Sequence, residues 1–146
     1  MAELRFETTG DVGALGIDSL LPAFDLRSWA SVGEAVRGSR GGLPGRKLRA
    51  VLEYIHQHLV TDLTLRDLAA IAHLSPYHFA RLFKVSTGLP PRQYVIARRV
   101  EWAKQLLRGE DDLTLAQIAA RAGFCDQAHL TRHFKRFVGV TPKRFR

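Results

Sequence analysis

The chain holds a single cysteine, Cys125, in 146 residues, so no disulfide can close within it and the sequence suits a reducing compartment. No apolar run approaches the roughly 18 residues that span a bilayer. The opening Met1-Ala2-Glu3-Leu4 also lacks the basic and apolar regions of a secretory signal. These absences point to a cytoplasmic protein with no membrane partner. Neither a nucleophile-elbow motif nor a phosphate-cradling glycine loop occurs, so no enzyme and no cofactor is expected. Acid is scarce too: 14 Asp and Glu stand against 22 Lys and Arg, a net charge of +8. That balance favours a polyanionic partner, nucleic acid or an anionic membrane.

The charge is unevenly spread. Residues 46–146 carry 18 Lys and Arg against 8 Asp and Glu, a balance of +10, whereas residues 1–45 are net acidic at −2. Gly38-Ser39-Arg40-Gly41-Gly42-Leu43-Pro44-Gly45 places four glycines and a proline in eight residues, which reads as a linker without regular structure. The chain therefore divides into an N-terminal extension with its linker, 1–45, and a basic domain, 46–146. Between Ser19 and Val36, Leu20, Leu21, Phe24 and Trp29 suit one or two short helices in an otherwise poorly structured segment. No function follows from them.

Downstream the pattern is helical throughout, which predicts an all-α domain. Leu48, Val51, Leu52, Ile55 and Leu59 form one apolar face. Thr64 and Thr114 each precede a short helical run as N-cap candidates, Gln117 completing a capping box and Asp67 approximating one. These caps belong to an internal repeat. Leu63, Thr64, Leu65, Ala69, Ala70 and Ala72 recur as Leu113, Thr114, Leu115, Ala119, Ala120 and Ala122 at an offset of 50. After one inserted residue, His78, Arg81, Phe83, Lys84, Gly88 and Pro91 recur as His129, Arg132, Phe134, Lys135, Gly139 and Pro142, with Tyr94 answered by Phe145. Between the copies, Pro91 to Arg108 reads as a long connecting helix with Tyr94, Ala97, Val100, Ala103 and Leu107 along one side and Gly109 as its stop.

Each copy has the plan of a helix-turn-helix: a short helix, a tight turn and a capped second helix. Ala69 and Ala119 let the paired helices approach closely. Gly123 stands where the second turn calls for a positive φ, and His73 takes that place in the first. With Phe79 and Phe83 facing inward, Tyr77, Ala80, Arg81 and Lys84 fall on the outer side of the first recognition helix, and Gln127, Ala128, Thr131, Arg132 and Lys135 on that of the second. Arginine donates bidentately to guanine, glutamine to adenine, and Thr or Ala methyls pack on the thymine methyl. Lys84 and Lys135, with His78 and His129, suit phosphate oxygens instead. An isolated amphipathic helix with such a face would be read as merely solvated. Recurrence at matched positions, each just after a capped turn, makes double-stranded DNA the expected partner.

The residues 47–146 resemble the DNA-binding domain of the AraC/XylS family of bacterial transcription regulators. The resemblance rests on Leu74-Ser75-Pro76-Tyr77-His78-Phe79-Ala80-Arg81-Leu82-Phe83-Lys84, on Ala119-Ala120-Arg121-Ala122-Gly123-Phe124, and on Leu130 to Lys135 followed by Gly139-Val140-Thr141-Pro142-Lys143-Arg144-Phe145-Arg146. It implies about seven helices in two helix-turn-helix subdomains joined by the long helix, binding as a monomer to two consecutive major-groove segments. It also implies activation through RNA polymerase, with Tyr77, Ala80, Arg81, Gln127, Ala128, Thr131 and Arg132 at the family's base-contacting positions. Ala80 is small where longer polar residues are common, so direct reading there is expected to be weaker. Residues 1–45 are too few for the family's usual sensor domain, so a small-molecule effector is not expected. The chain is either a short single-domain regulator or a remnant of a longer ligand-responsive one.

Three other readings compete. Cys125, His129 and His133 are spaced by four, and His56 and His58 by two, a foothold for metal; the expectation is no metal, because Cys125 precedes the cap and the histidines lie on the DNA-facing helix. A redox role for Cys125 rests on its place near a helix N-terminus, against the simpler reading of a turn residue. Charge alone allows a non-specific architectural DNA protein, but capped, paired recognition helices favour specific reading.

Overall fold

The computed structural model describes residues 41–109 and 112–146; the expected helices between Ser19 and Val36, and Gly38 to Arg40 of the linker, lie outside them. Among the described residues there are seven helices and no strand: α1 (Gly45–Gln57), α2 (Leu65–Ile71), α3 (Pro76–Thr87), α4 (Pro91–Gly109), α5 (Leu115–Ala122), α6 (Gln127–Val138) and α7 (Pro142–Phe145). This is the all-α fold that the apolar periodicity predicts.

Short polar side chains set the helix starts. Thr64 Oγ1 accepts from Asp67 N at 3.1 Å, Ser75 Oγ from His78 N at 3.3 Å, and Asp126 Oδ1 from His129 N at 2.7 Å. Before α5 the capping box is complete: Thr114 Oγ1 accepts from Gln117 N at 3.1 Å while Thr114 N donates to Gln117 Oε1 at 2.8 Å. Each such cap contributes about 1 kcal/mol and, more usefully, fixes where each turn ends.

Two apolar cores form, one per repeat. Leu48, Val51, Ile55, Leu68, Phe79 and Phe83 fill the first; Ile118, Leu130 and Phe134 centre the second. The repeat extends to ring geometry. Tyr94 meets Phe83 edge-on with centroids 5.3 Å apart, and Phe145 meets Phe134 at 5.3 Å in the same manner.

Helix α4 departs from its expected one-sided face. It gives Tyr94, Val95 and Ala97 to the first core and Ile96, Val100, Ala103, Leu106 and Leu107 to the second. Every residue from Gln93 to Glu101 is buried. A rod carrying one apolar stripe would face one neighbour, whereas α4 is wedged between two and touches α3, α5, α6 and α7. It is the wall that both units share.

The packed unit also begins earlier than the glycine pattern suggests. Leu43 is buried in the first core, its N–H donating to Ser86 Oγ at 2.8 Å, and Gly45 already opens α1. Leu43 to Gly45 therefore belong to the fold, not to a linker, because one leucine side chain in the core outweighs the conformational freedom of its neighbours.

Candidate nucleic-acid interface

The two turns close in the same way. In the first, His73 N donates to Ala70 O at 3.1 Å and Leu74 N to Ala69 O at 3.0 Å; in the second, Gly123 N donates to Ala120 O at 3.3 Å and Phe124 N to Ala119 O at 2.9 Å. Both turn residues have positive φ, 56° for His73 and 91° for Gly123. Ala69 and Ala119 are both buried. A turn of fixed shape thus delivers α3 and α6 in equivalent poses, each with its inner face anchored by two aromatic or aliphatic core residues.

The outer faces carry the residues that the sequence singled out. On α3, Tyr77 is 81% exposed, His78, Arg81 and Lys84 are exposed and Ala80 is half-buried. On α6, Gln127, Ala128, Arg132 and Lys135 are exposed and Thr131 is half-buried. Spacings of three and four bring each set onto one stripe. Among the described residues, Arg81, Lys84, Arg132 and Lys135 have no acidic side chain within ion-pair distance. Their charge is uncompensated locally and available to an anion.

His129 does not join that stripe. It is buried, and its Nδ1 accepts from Cys125 N at 3.3 Å, whereas its repeat partner His78 is exposed. The extra residue in the second turn leaves an N–H at Cys125 that needs an acceptor, and the imidazole turns inward to supply it. The expected phosphate contact at His129 is therefore corrected to a structural one. The accepting bond also assigns the proton of a neutral His129 to Nε2.

Beneath α6, His133 is buried with its ring roughly parallel to Phe124 at 6.2 Å between centroids and edge-on to His129 at 4.7 Å. Burial pushes its pKa down to about 3, and the neighbouring basic groups His129, Arg132, Arg136 and Arg92 act in the same direction. It is neutral wherever the protein is folded near pH 7. Cys125 is exposed while both histidines turn inward. Among the described residues no three His, Cys, Asp or Glu side chains gather as ligands for a metal ion.

Sequence reasoning missed the polar residues of α4. Gln93, Arg98, Arg99 and Glu101 are buried, although their types suggest a solvated face. Arg99 Nε and Nη2 donate at 2.8 Å to the carbonyls of Leu59 and Thr61, in the connection from α1 to α2. Lys104 Nζ lies 3.3 Å from Glu101 Oε1. The one available signal was topological: a helix joining two repeats must face both of them.

No described helix is long and apolar enough to cross a membrane. The family model described as a helix-turn-helix domain matches residues 68–146. The regulatory protein PocR of Salmonella typhimurium is 36% identical over 77% of this chain and 37% of its own length. The MmsAB operon regulatory protein of Pseudomonas aeruginosa is 32% identical over 87% of this chain and 40% of its own. The chain thus spans well under half the length of these curated relatives. The crystal structure of the DNA-binding domain of AdpA, a global transcriptional factor, in complex with a target DNA superposes with a TM-score of 0.63 at 33% identity, covering 68% of this chain and 88% of that one. On these matches, met by a chain that itself carries a duplicated helix-turn-helix, the protein belongs to the AraC/XylS family of bacterial transcription regulators and carries that family's DNA-binding domain.

Proposed function

We propose that the protein is a sequence-specific transcription activator that reads two consecutive major-groove segments with α3 and α6 as its recognition helices. The observation that carries this reading is the pair of matched, locally uncompensated basic stripes on two equivalently capped helices. Arg81 and Arg132 are assigned to guanine edges, Gln127 to adenine, and Tyr77, Ala80, Ala128 and Thr131 to apolar or mixed base contacts. Lys84, Lys135 and His78 take phosphates. The DNA-binding unit is assigned to the described residues from Leu43 onward, acting as a monomer on an asymmetric site, in the cytoplasm. RNA polymerase is assigned as its protein partner on the family resemblance.

Selection of bound duplexes from a random library tests specificity. A regulator yields a two-part motif with unlike halves centred about one turn, roughly 10 bp, apart, and an affinity for it about a thousandfold or more above random DNA. A ratio near one overturns the reading in favour of an architectural protein. Activation is tested by transcription in vitro from a promoter bearing the selected site: purified polymerase must produce more transcript with the protein than without it.

A further inference from the structure

We propose that Arg99 is a positioning residue that sets the spacing between the two recognition helices, and with it the separation of half-sites that the protein accepts. The proposal rests on the two-segment reading above.

Arg99 lies in the middle of the shared wall and is 4% exposed. Its planar guanidinium bridges two carbonyls of the first unit, Leu59 O and Thr61 O, each at 2.8 Å. The residue between those carbonyls, Val60, presses directly on the turn of the second unit: a Cβ built on Gly123 would sit 3.0 Å from Val60 Cα and 3.0 Å from Arg99 Nε. Three segments therefore meet at one point. They are the α1–α2 connection of the first unit, the central helix, and the turn that aims α6.

Apolar packing along α4 is non-directional and tolerates small slides, but a fork of two N–H donors onto two carbonyls two residues apart fixes both distance and angle. Losing it would take the shared donor away from two part-buried carbonyls and release the α1–α2 connection from α4. The first unit would then shift relative to Gly123. The base-reading side chains stand elsewhere, on the outer faces of α3 and α6, so this change alters where the helices lie and leaves what each one reads intact.

The test uses the full chain and the site obtained by library selection, with duplexes in which one or two base pairs are inserted or deleted between the half-sites. For the unmodified protein, one base pair of altered spacing is expected to lower affinity about a hundredfold, since it rotates and displaces one half-site relative to the other. For Arg99→Met, affinity at the native spacing is expected to fall about tenfold, while the spacing penalty shrinks to less than about tenfold and each half-site keeps its base preference. Arg99→Lys, which keeps the charge and one donor at a time, falls between. A folded Arg99→Met that retains the full spacing penalty overturns the proposal. Should Arg99→Met not fold, an Arg99→Lys protein with an unchanged penalty overturns it equally. An unmodified protein indifferent to spacing sinks the two-segment reading itself, and is distinguished because it fails before any substitution is made.

Discussion

The two helix-turn-helix units have the same plan and differ in what their turns rest against. His73 and Gly123 occupy equivalent positions with equivalent hydrogen bonds and positive φ. His73 is exposed, whereas Gly123 is pinned against Val60 and Arg99. The first turn faces water and tolerates a side chain at the cost of backbone strain. The second faces the other unit and tolerates none. The same asymmetry runs through the second helices, where His129 and His133 of α6 are buried while their counterparts, His78 and Leu82 of α3, are exposed and half-buried. Duplication supplied the scaffold; docking one copy on the other made the second copy's inner surface specialised.

Exchanging the turn residues breaks the comparison most severely. Gly123→His, which copies the first turn, is expected to destabilise the fold by about 2–5 kcal/mol, because a left-handed non-glycine residue adds its own cost to an overpacked contact. Denaturant midpoints measure this. A loss of only about 1–2 kcal/mol, the scale of backbone strain alone, would show that the contact with Val60 relaxes freely.

Next in size is DNA recognition, where the two units are expected to behave alike. Arg81→Ala and Arg132→Ala should each lose about 1–3 kcal/mol on the preferred site and relax base preference at one position. Lys84→Ala and Lys135→Ala should weaken preferred and random DNA together and lower the salt slope by about one unit each. If Arg132→Ala leaves the selected motif unchanged while weakening all DNA, Arg132 is a phosphate contact and the units are not equivalent readers.

The third prediction concerns acid. The pKa of His133 is lowered in the folded protein to about 3, while the unfolded chain takes up its proton near the ordinary pKa of about 6.5. Stability from this group is therefore full above about pH 6.5 and is lost as pH falls towards 3, by about 1 kcal/mol per unit once solvent screening is allowed for. His133→Leu, which gives α6 the residue that α3 carries, should flatten that part of the pH dependence. An unchanged slope in denaturation at pH 4–7 would place the acid sensitivity in other groups.

The smallest effect is the reverse exchange. His73→Gly relieves a left-handed conformation but frees the unfolded chain, leaving a net change within about 1 kcal/mol. A thermal scan reads it, and a clear loss of stability would assign the His73 side chain a role beyond the turn.

Much of the fold was legible because the signals are local. Thr64, Ser75, Thr114 and Asp126 cap the helices that follow them, and a 3.6-residue apolar period sorts inner from outer faces without knowledge of the neighbours. The outer stripes of α3 and α6 were readable for the same reason. Arg98, Arg99 and Glu101 were not, since a charged residue on a helix reads as exposed unless the second core that covers it is already in place. His129 misled through the repeat itself: matched letters implied matched roles, and the single extra residue at Cys125 created a backbone donor that only the three-dimensional turn reveals. Leu43 was hidden by its glycine-rich surroundings.

The wall shared by the two cores also has a consequence for synthesis. A chain made from its N-terminus at about 5–20 residues per second holds all the residues of α1 to α3 before Tyr94, Val95 and Ala97, which close their core, are added. Packed on the first unit alone, α4 would leave Ile96, Val100, Ala103 and Leu107 bare, because Ile118, Leu130 and Phe134, which cover them, come later in the chain. Helices α5 and α6 are thus what hides an apolar flank that the first unit alone would leave open to water.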